Sequence, residues 1–112
     1  MINKFRVFTT REFDNDYDKL DRSEQKRVDK ILEQLMQRGV EVGKPLAGLS
    51  FFREKKFGGK RLYFLVYRDV LIVLALGIGD KKVQQATINK ILKNLAEYQQ
   101  YVFKTLQERG FI

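Results

Sequence analysis

The sequence contains no cysteine and no histidine, and it has a single proline, Pro45. The absence of cysteine excludes disulfide bonds, zinc–thiolate sites and cysteine nucleophiles. The absence of histidine excludes the serine–histidine–aspartate triad, the usual zinc enzymes and acid–base catalysis by imidazole. Any chemistry must therefore use lysine, arginine, tyrosine, aspartate, glutamate, serine or threonine.

Long apolar runs are also missing. The longest is Val70–Leu76, which is far below the roughly 20 residues of a membrane-spanning helix. The segment Met1–Arg6 has no apolar region of the kind that a signal peptide needs. We therefore expect a cytoplasmic protein without a membrane partner. A chain of 112 residues fits one domain, 1–112.

The charge is unevenly distributed along the chain. Residues 1–43 carry nine basic and nine acidic side chains, whereas residues 44–112 carry thirteen basic and five acidic ones. The whole excess of +8 therefore belongs to the second part of the chain. A localised positive field indicates a polyanionic partner, either a nucleic acid or an acidic protein.

The periodicity of the apolar residues changes several times along the chain and predicts an α+β fold in the order β-α-α-β-β-β-α. A strand is followed by a helical hairpin, which has cap signals at Thr10, at Asp21 with Glu24, and at Gly39. Gly58 and Gly59 predict a two-residue hairpin turn. The predicted elements are a strand Lys4–Thr9, a helix from Arg11, a second helix ending at Gly39, a loop Val40–Leu49, an antiparallel meander of strands Phe51–Phe57, Lys60–Tyr67 and Val70–Ile78, and one long helix over about 84–109.

This arrangement predicts a sheet face rimmed by cations. Arg53 and Lys55 share one face of their strand because they are two residues apart, and the tight turn places Arg61 opposite the end of that strand. Lys81 and Lys82 follow the last strand. Such cations can bind RNA and stabilise a pentacovalent phosphate, while Glu54 or a lysine moves protons. The further cations expected to bind RNA are Lys44, Lys56, Lys60 and Lys90. We expect most of the strand aromatics to belong to the core.

Several motifs resemble the RelE/ParE toxin superfamily. They are the element order, the Lys-Pro-Leu-x-Gly segment Lys44–Gly48 and the Gly-x-Arg-x-Tyr-Phe hairpin Gly59–Phe64. The segment Gly79–Gln84 together with Ile88 looks like the signature of the HigB-like "addiction module killer" branch. The resemblance covers residues 4–100.

The resemblance implies a toxin neutralised by a cognate antitoxin, with a RelE-like fold and with the ribosome and mRNA as targets. The hairpin arginine of the family falls on Arg61, its strand cations on Arg53 and Lys55, and its later loop arginine on Lys81 or Lys82. A tyrosine that some members use is absent from residues 83–88. No metal and no organic cofactor are implied.

Three functions are compatible with these features. The first is a ribosome-dependent mRNA endoribonuclease that cleaves by metal-independent attack of the 2′-hydroxyl group. The second is a ParE-like inhibitor of DNA gyrase, and the third is an RNA-binding relative without catalysis. Arrest of translation indicates the first function, and a DNA damage response indicates the second. Growth without any arrest indicates the third.

Overall fold

A computed structural model describes residues 4–112; the first three residues of the predicted domain 1–112 lie outside this range. The chain divides into two compact units, one up to Lys81 and one from Lys82 to Ile112. The first unit contains the strands β1 (Arg6–Thr9), β2 (Lys44–Leu46), β3 (Leu49–Phe57), β4 (Lys60–Tyr67) and β5 (Ile72–Asp80) and the helices α1 (Arg11–Asp18) and α2 (Arg22–Arg38). The second contains α3 (Gln84–Lys93) and α4 (Leu95–Glu108).

The five strands form one sheet in the order β1-β5-β4-β3-β2. β1 runs parallel to β5, and every other neighbouring pair is antiparallel. β5 therefore lies inside the sheet, and its residues Ile72–Leu76 are all buried. The predicted α+β class and the antiparallel meander are confirmed.

One face of the sheet, called here the helix face, packs against the helical hairpin. The apolar stripes of the two helices meet the alternate apolar residues of β4 and β5, as amphipathic helices do on a sheet. The buried cluster includes Phe13, Val28, Ile31 and Leu35 from the helices and Leu62, Phe64, Val66, Val73 and Ala75 from the strands. This packing fixes which side chains of each strand point toward the opposite face.

The predicted caps are present. The Thr10 hydroxyl accepts a hydrogen bond from the Phe13 amide at 3.1 Å, and Asp21 and Glu24 form a reciprocal capping box at the start of α2. Gly39 ends α2 with a φ of +48°. A β-carbon at Gly39 would lie 2.6 Å from Cζ of Phe5, whose side chain is buried.

The Gly39→Ala variant is therefore expected to lose about 3 kcal/mol of unfolding free energy, from the left-handed backbone and from overpacking against Phe5. Gly48→Ala is the matched control, because Gly48 has a φ of +70° but nothing within 4 Å of an added β-carbon. We expect that control to lose only about 1 kcal/mol. Urea denaturation measures both values, and equal losses would show that the contact with Phe5 is unimportant.

Two predicted elements are wrong in detail. The predicted loop Val40–Leu49 contains a 3₁₀ turn, Gly39–Glu41, and the short strand β2. The predicted single C-terminal helix is two helices that meet at Asn94. The Asn94 side chain donates to the Lys90 carbonyl at 2.8 Å, while its backbone amide donates to Ile91 instead. The Asn94 side chain thus binds the Lys90 carbonyl, to which the Asn94 backbone amide would donate in an uninterrupted helix.

β5 carries a bulge that the sequence does not signal. Its register against β4 shifts between Tyr63 and Phe64, so that Phe64 pairs with Ala75 but Tyr63 pairs with Gly77. The first helix and its cap hold this irregularity. The Thr10 hydroxyl donates to the Leu76 carbonyl at 2.9 Å, and Asp16 accepts from the Ile78 amide at 2.9 Å.

Candidate functional site

The register of β3 and β4 brings four chemically active side chains to one face of the sheet. Phe57 pairs with Lys60 across the Gly58–Gly59 turn, so Lys56 stands opposite Arg61, and Glu54 stands opposite Tyr63. Residues opposite each other on antiparallel strands share a face. We call this the Arg61 face; it lies on the other side of the sheet from the helix face.

A buried carboxylate is the centre of this group. The Glu54 side chain has no exposed surface, and its Oε1 lies 3.4 Å from Nε of Arg61, whose side chain is 9% exposed. Its Oε2 lies 3.7 Å from Nζ of Lys44, whose side chain is 59% exposed. Lys44 reaches this carboxylate because β2 pairs it directly with Glu54. One carboxylate is thus held between a buried and an exposed cation.

The group carries more positive than negative charge. Lys56 and Arg61 stand directly opposite each other on the same face, and like charges in that arrangement are destabilising unless an anion lies between or beside them. Among residues 4–112, Lys56 makes no ion pair and is exposed. An open cleft of about 440 Å³ lies at the edge of the sheet formed by β2 and β3. It is lined by Glu41, Gly43, Lys44, Glu54, Lys55 and Lys56.

Tyr63 adds a buried phenol beside Glu54. It is 0% exposed, and within the described residues its hydroxyl makes no hydrogen bond. Burial raises the pKa of Tyr63 above its ordinary value of 10.0, and the neighbouring Glu54 charge raises it further, against a lowering by Arg61. The phenol is therefore protonated at neutral pH and is a hydrogen-bond donor.

The Tyr63→Phe variant is expected to be more stable by about 1 kcal/mol, because an unsatisfied buried hydroxyl costs about that much. Because the pKa of Tyr63 is raised in the folded state, ionisation of this phenol does not affect stability below pH 10, and stability falls as pH rises from 10 toward the folded-state value. The variant should therefore lose less stability above pH 10 than the parent. Denaturation at pH 7 and at several alkaline pH values measures both effects, with the exposed Tyr101→Phe as control. A destabilised variant would show that the hydroxyl has a partner in solution.

Arg53 and Lys55 lie on the other face of the sheet from Arg61, so the structure does not bring these three candidate cations together. Their register partners Phe64 and Leu62 belong to the core on the helix face. The Arg53 guanidinium donates to the carbonyls of Val42, Ser50 and Gly43 at 2.9, 3.2 and 3.1 Å. Burial lowers the pKa of Arg53 below its ordinary value.

The other candidate cations differ in their surroundings. Lys60 lies 3.7 Å from Glu24 and 3.6 Å from Asp80, so it ties the hairpin to the first turn of α2 and to the end of β5. Lys81 follows directly after β5 and is two residues from Gly79, which pairs with Arg61. Lys82 and Lys90 belong to the second unit and are exposed.

Sequence reasoning missed two features of this site. Tyr63 was expected to be a core aromatic, and it is indeed buried, but its hydroxyl lies beside Glu54 and Arg61. Lys44 falls within the predicted loop Val40–Leu49, whereas β2 pairs it with Glu54. The tight glycine turn contained the signal for Tyr63, because counting outward from Phe57 and Lys60 pairs Glu54 with Tyr63.

Residues 4–112 contain no group of three or more acidic side chains placed to hold a metal ion. None of the helices in that range is both long enough and apolar enough to cross a membrane.

Comparison with solved structures identifies the fold. The chain is similar to E. coli toxin RelE, as a doubly substituted variant in the free state, with a TM-score of 0.65 and 16% identity over 79% of this chain and 98% of that one. It is similar to a RelBE toxin–antitoxin complex from Mycobacterium tuberculosis, with a TM-score of 0.61 and 20% identity over 72% of this chain and 95% of that one. An archaeal RelE–RelB complex from Pyrococcus horikoshii gives 0.61 and 15%, over 70% and 96%.

No family model and no curated protein match the sequence. The chain has the α+β fold of RelE toxins, and the predicted RelE-like fold is thereby confirmed. Its assignment to the HigB-like branch stays a prediction.

Proposed function

We propose that this chain is the toxin of a toxin–antitoxin pair and that it cleaves mRNA on the ribosome. The observation that carries the proposal is the Arg61 face, where a buried carboxylate, a buried guanidinium and exposed lysines meet beside an open cleft. A fold alone does not define a function, but this group has the chemistry that phosphodiester cleavage requires. The fold shared with RelE toxins agrees with it.

The reaction needs no metal when the RNA supplies its own nucleophile. The 2′-oxygen attacks the adjacent phosphorus, the bond from phosphorus to the 5′-oxygen breaks, and a 2′,3′-cyclic phosphate forms. Negative charge develops on the phosphate oxygens in the transition state, and fixed cationic donors stabilise it. Arg61 pairs with Glu54 through Nε, so its terminal amino groups are the donors directed at the phosphate.

Two proton transfers complete the reaction. Glu54, the carboxylate that lines the cleft, or a lysine accepts the proton of the 2′-hydroxyl group. A neighbouring lysine returns a proton to the leaving 5′-oxygen. Lys81, next to the end of β5, adds positive charge near Arg61, and the exposed Lys44 and Lys56 at the cleft bind the RNA backbone. Lys82 and Lys90 are proposed as further contacts from the second unit. Arg53 and Lys60 are bound within the protein and support the site instead.

The proposed partners are a cognate antitoxin, the ribosome and mRNA, and the proposed location is the cytoplasm. An acidic antitoxin complements the net charge of +8. Antitoxins accompany the RelE chains of the M. tuberculosis and P. horikoshii complexes.

The test is tightly controlled expression of the chain, with translation measured and RNA 3′ ends mapped on ribosome-bound message. We expect rapid arrest and new 3′ ends at a fixed position within codons. Arrest with intact mRNA and an induced DNA damage response would instead indicate gyrase inhibition. Normal growth, with RNA binding retained, would indicate a non-catalytic relative.

A further inference from the structure

The Arg53 guanidinium binds backbone carbonyl oxygens of the protein, which is unusual for an arginine that the sequence predicts to bind RNA. Its guanidinium faces three backbone carbonyl oxygens, at Val42, Gly43 and Ser50, at distances of 2.9 to 3.2 Å. Within the described chain it forms no ion pair. Arginine is suited to this role because its planar fork presents several donors in fixed directions.

The segment that Arg53 holds leads directly into the site. Val42 and Gly43 precede Lys44, which pairs with Glu54 in the β2–β3 ladder. The Gly43 backbone lies close to β3, since a β-carbon at Gly43 would collide with the Glu54 carbonyl oxygen. Gly43 also has a φ of +68°, which favours glycine. The position of Lys44 therefore depends on how this turn is fixed.

The β2–β3 ladder alone holds the turn at Val42 and Gly43 weakly. β2 has only three residues, its second residue is Pro45, and its register against β3 shifts between Pro45 and Leu46. Proline has no amide proton to give to a ladder, and a bulge interrupts the pairing further. The two hydrogen bonds from Arg53 to the Val42 and Gly43 carbonyls therefore add a side-chain contribution to the position of this turn.

We propose that Arg53 is a positioning residue, which fixes the backbone of Val42 and Gly43 and so holds the Lys44 ammonium beside the Glu54 carboxylate. The inference rests on the proposed function, because it is the cleavage site that gives the position of Lys44 its importance. It assigns Arg53 a part in the site although its side chain points to the other face of the sheet.

A double-mutant cycle on cleavage tests the proposal. Arg53→Lys keeps the charge but loses the fork, and we expect it to slow cleavage about tenfold, since small misplacements of a group that binds the substrate have large effects. In the Lys44→Met background the same change should have almost no effect, because the residue that it positions is gone. Independent effects would multiply instead, and that result would overturn the proposal. Arg38→Lys, at an exposed arginine, is the control.

A second measurement does not depend on cleavage. Amide hydrogen exchange at Lys44 is expected to become at least about tenfold faster in Arg53→Lys, while the amides in the interior of β4 stay protected. Unchanged exchange at Lys44 would overturn the proposal even if the variant were less active. Faster exchange in a protein that cleaves no RNA would leave Arg53 as the residue that fixes Lys44 and would reject the proposed function alone.

Discussion

Replacement of Arg61 by lysine is expected to lower the rate of mRNA cleavage by about 10²- to 10³-fold, which is the typical loss when one preorganised donor to a developing oxyanion is removed. Lysine keeps the positive charge and can still pair with Glu54. It loses the planar arrangement of donors that binds two phosphate oxygens at once. The loss should therefore come from the chemistry and not from unfolding.

Quantitative mapping of 3′ ends in a reconstituted translation reaction measures this effect, with thermal denaturation run on the same samples. Arg68→Lys is the matched control, because Arg68 is an exposed arginine in the turn between β4 and β5. A folded Arg61→Lys variant that cleaves at the rate of the parent would remove Arg61 from the mechanism.

The Glu54→Gln variant is expected to lose about 3 kcal/mol of unfolding free energy, because removing one partner leaves the other charge buried and uncompensated. The Arg61 side chain is only 9% exposed and has Glu54 as its partner. The Lys44 side chain is mostly exposed, so water solvates its ammonium group when the charge of Glu54 is removed. The same change removes the proposed proton acceptor, so cleavage should fall as well.

The double variant Glu54→Gln with Arg61→Gln separates the buried charge from the packing. It should recover part of the lost stability, since no charge is then left buried. Asp80→Asn is a further control. It breaks an ion pair with Lys60 in which the aspartate is 67% exposed, and such pairs contribute less than about 1 kcal/mol. A Glu54→Gln variant as stable as Asp80→Asn would show that water reaches the Arg61 guanidinium.

Local signals in the sequence predicted most of the fold. The caps at Thr10, Asp21 and Gly39 depend on short-range hydrogen bonds and backbone angles, and all three are present. The hairpin turn follows from two adjacent glycines. The break at Asn94 escaped prediction because it depends on one side-chain hydrogen bond to Lys90 within an otherwise continuous apolar stripe.

The site was predicted less completely, because it depends on contacts between segments distant in sequence. The position of Arg61 opposite the end of β3 follows from the length of the turn and was expected, and the structure pairs it with Lys56. The position of Lys44 depends on β2, whose three residues include a proline and carry no strand pattern. Arg53 and Lys55 share a face with each other, as expected. Counting alternate residues outward from the turn already puts them on the other face of the sheet from Arg61.

The bulge in β5 determines the identity of the residue next to Arg61. If the ladder continued regularly from the pair Phe64–Ala75, Arg61 would stand opposite Ile78, and a branched apolar side chain would crowd the guanidinium. With one additional residue in β5, its neighbour is Gly79, which has no side chain. Since Thr10 and Asp16 hold the bulge, the first helix and its cap, although distant in sequence from Arg61, determine that no side chain stands opposite it on β5.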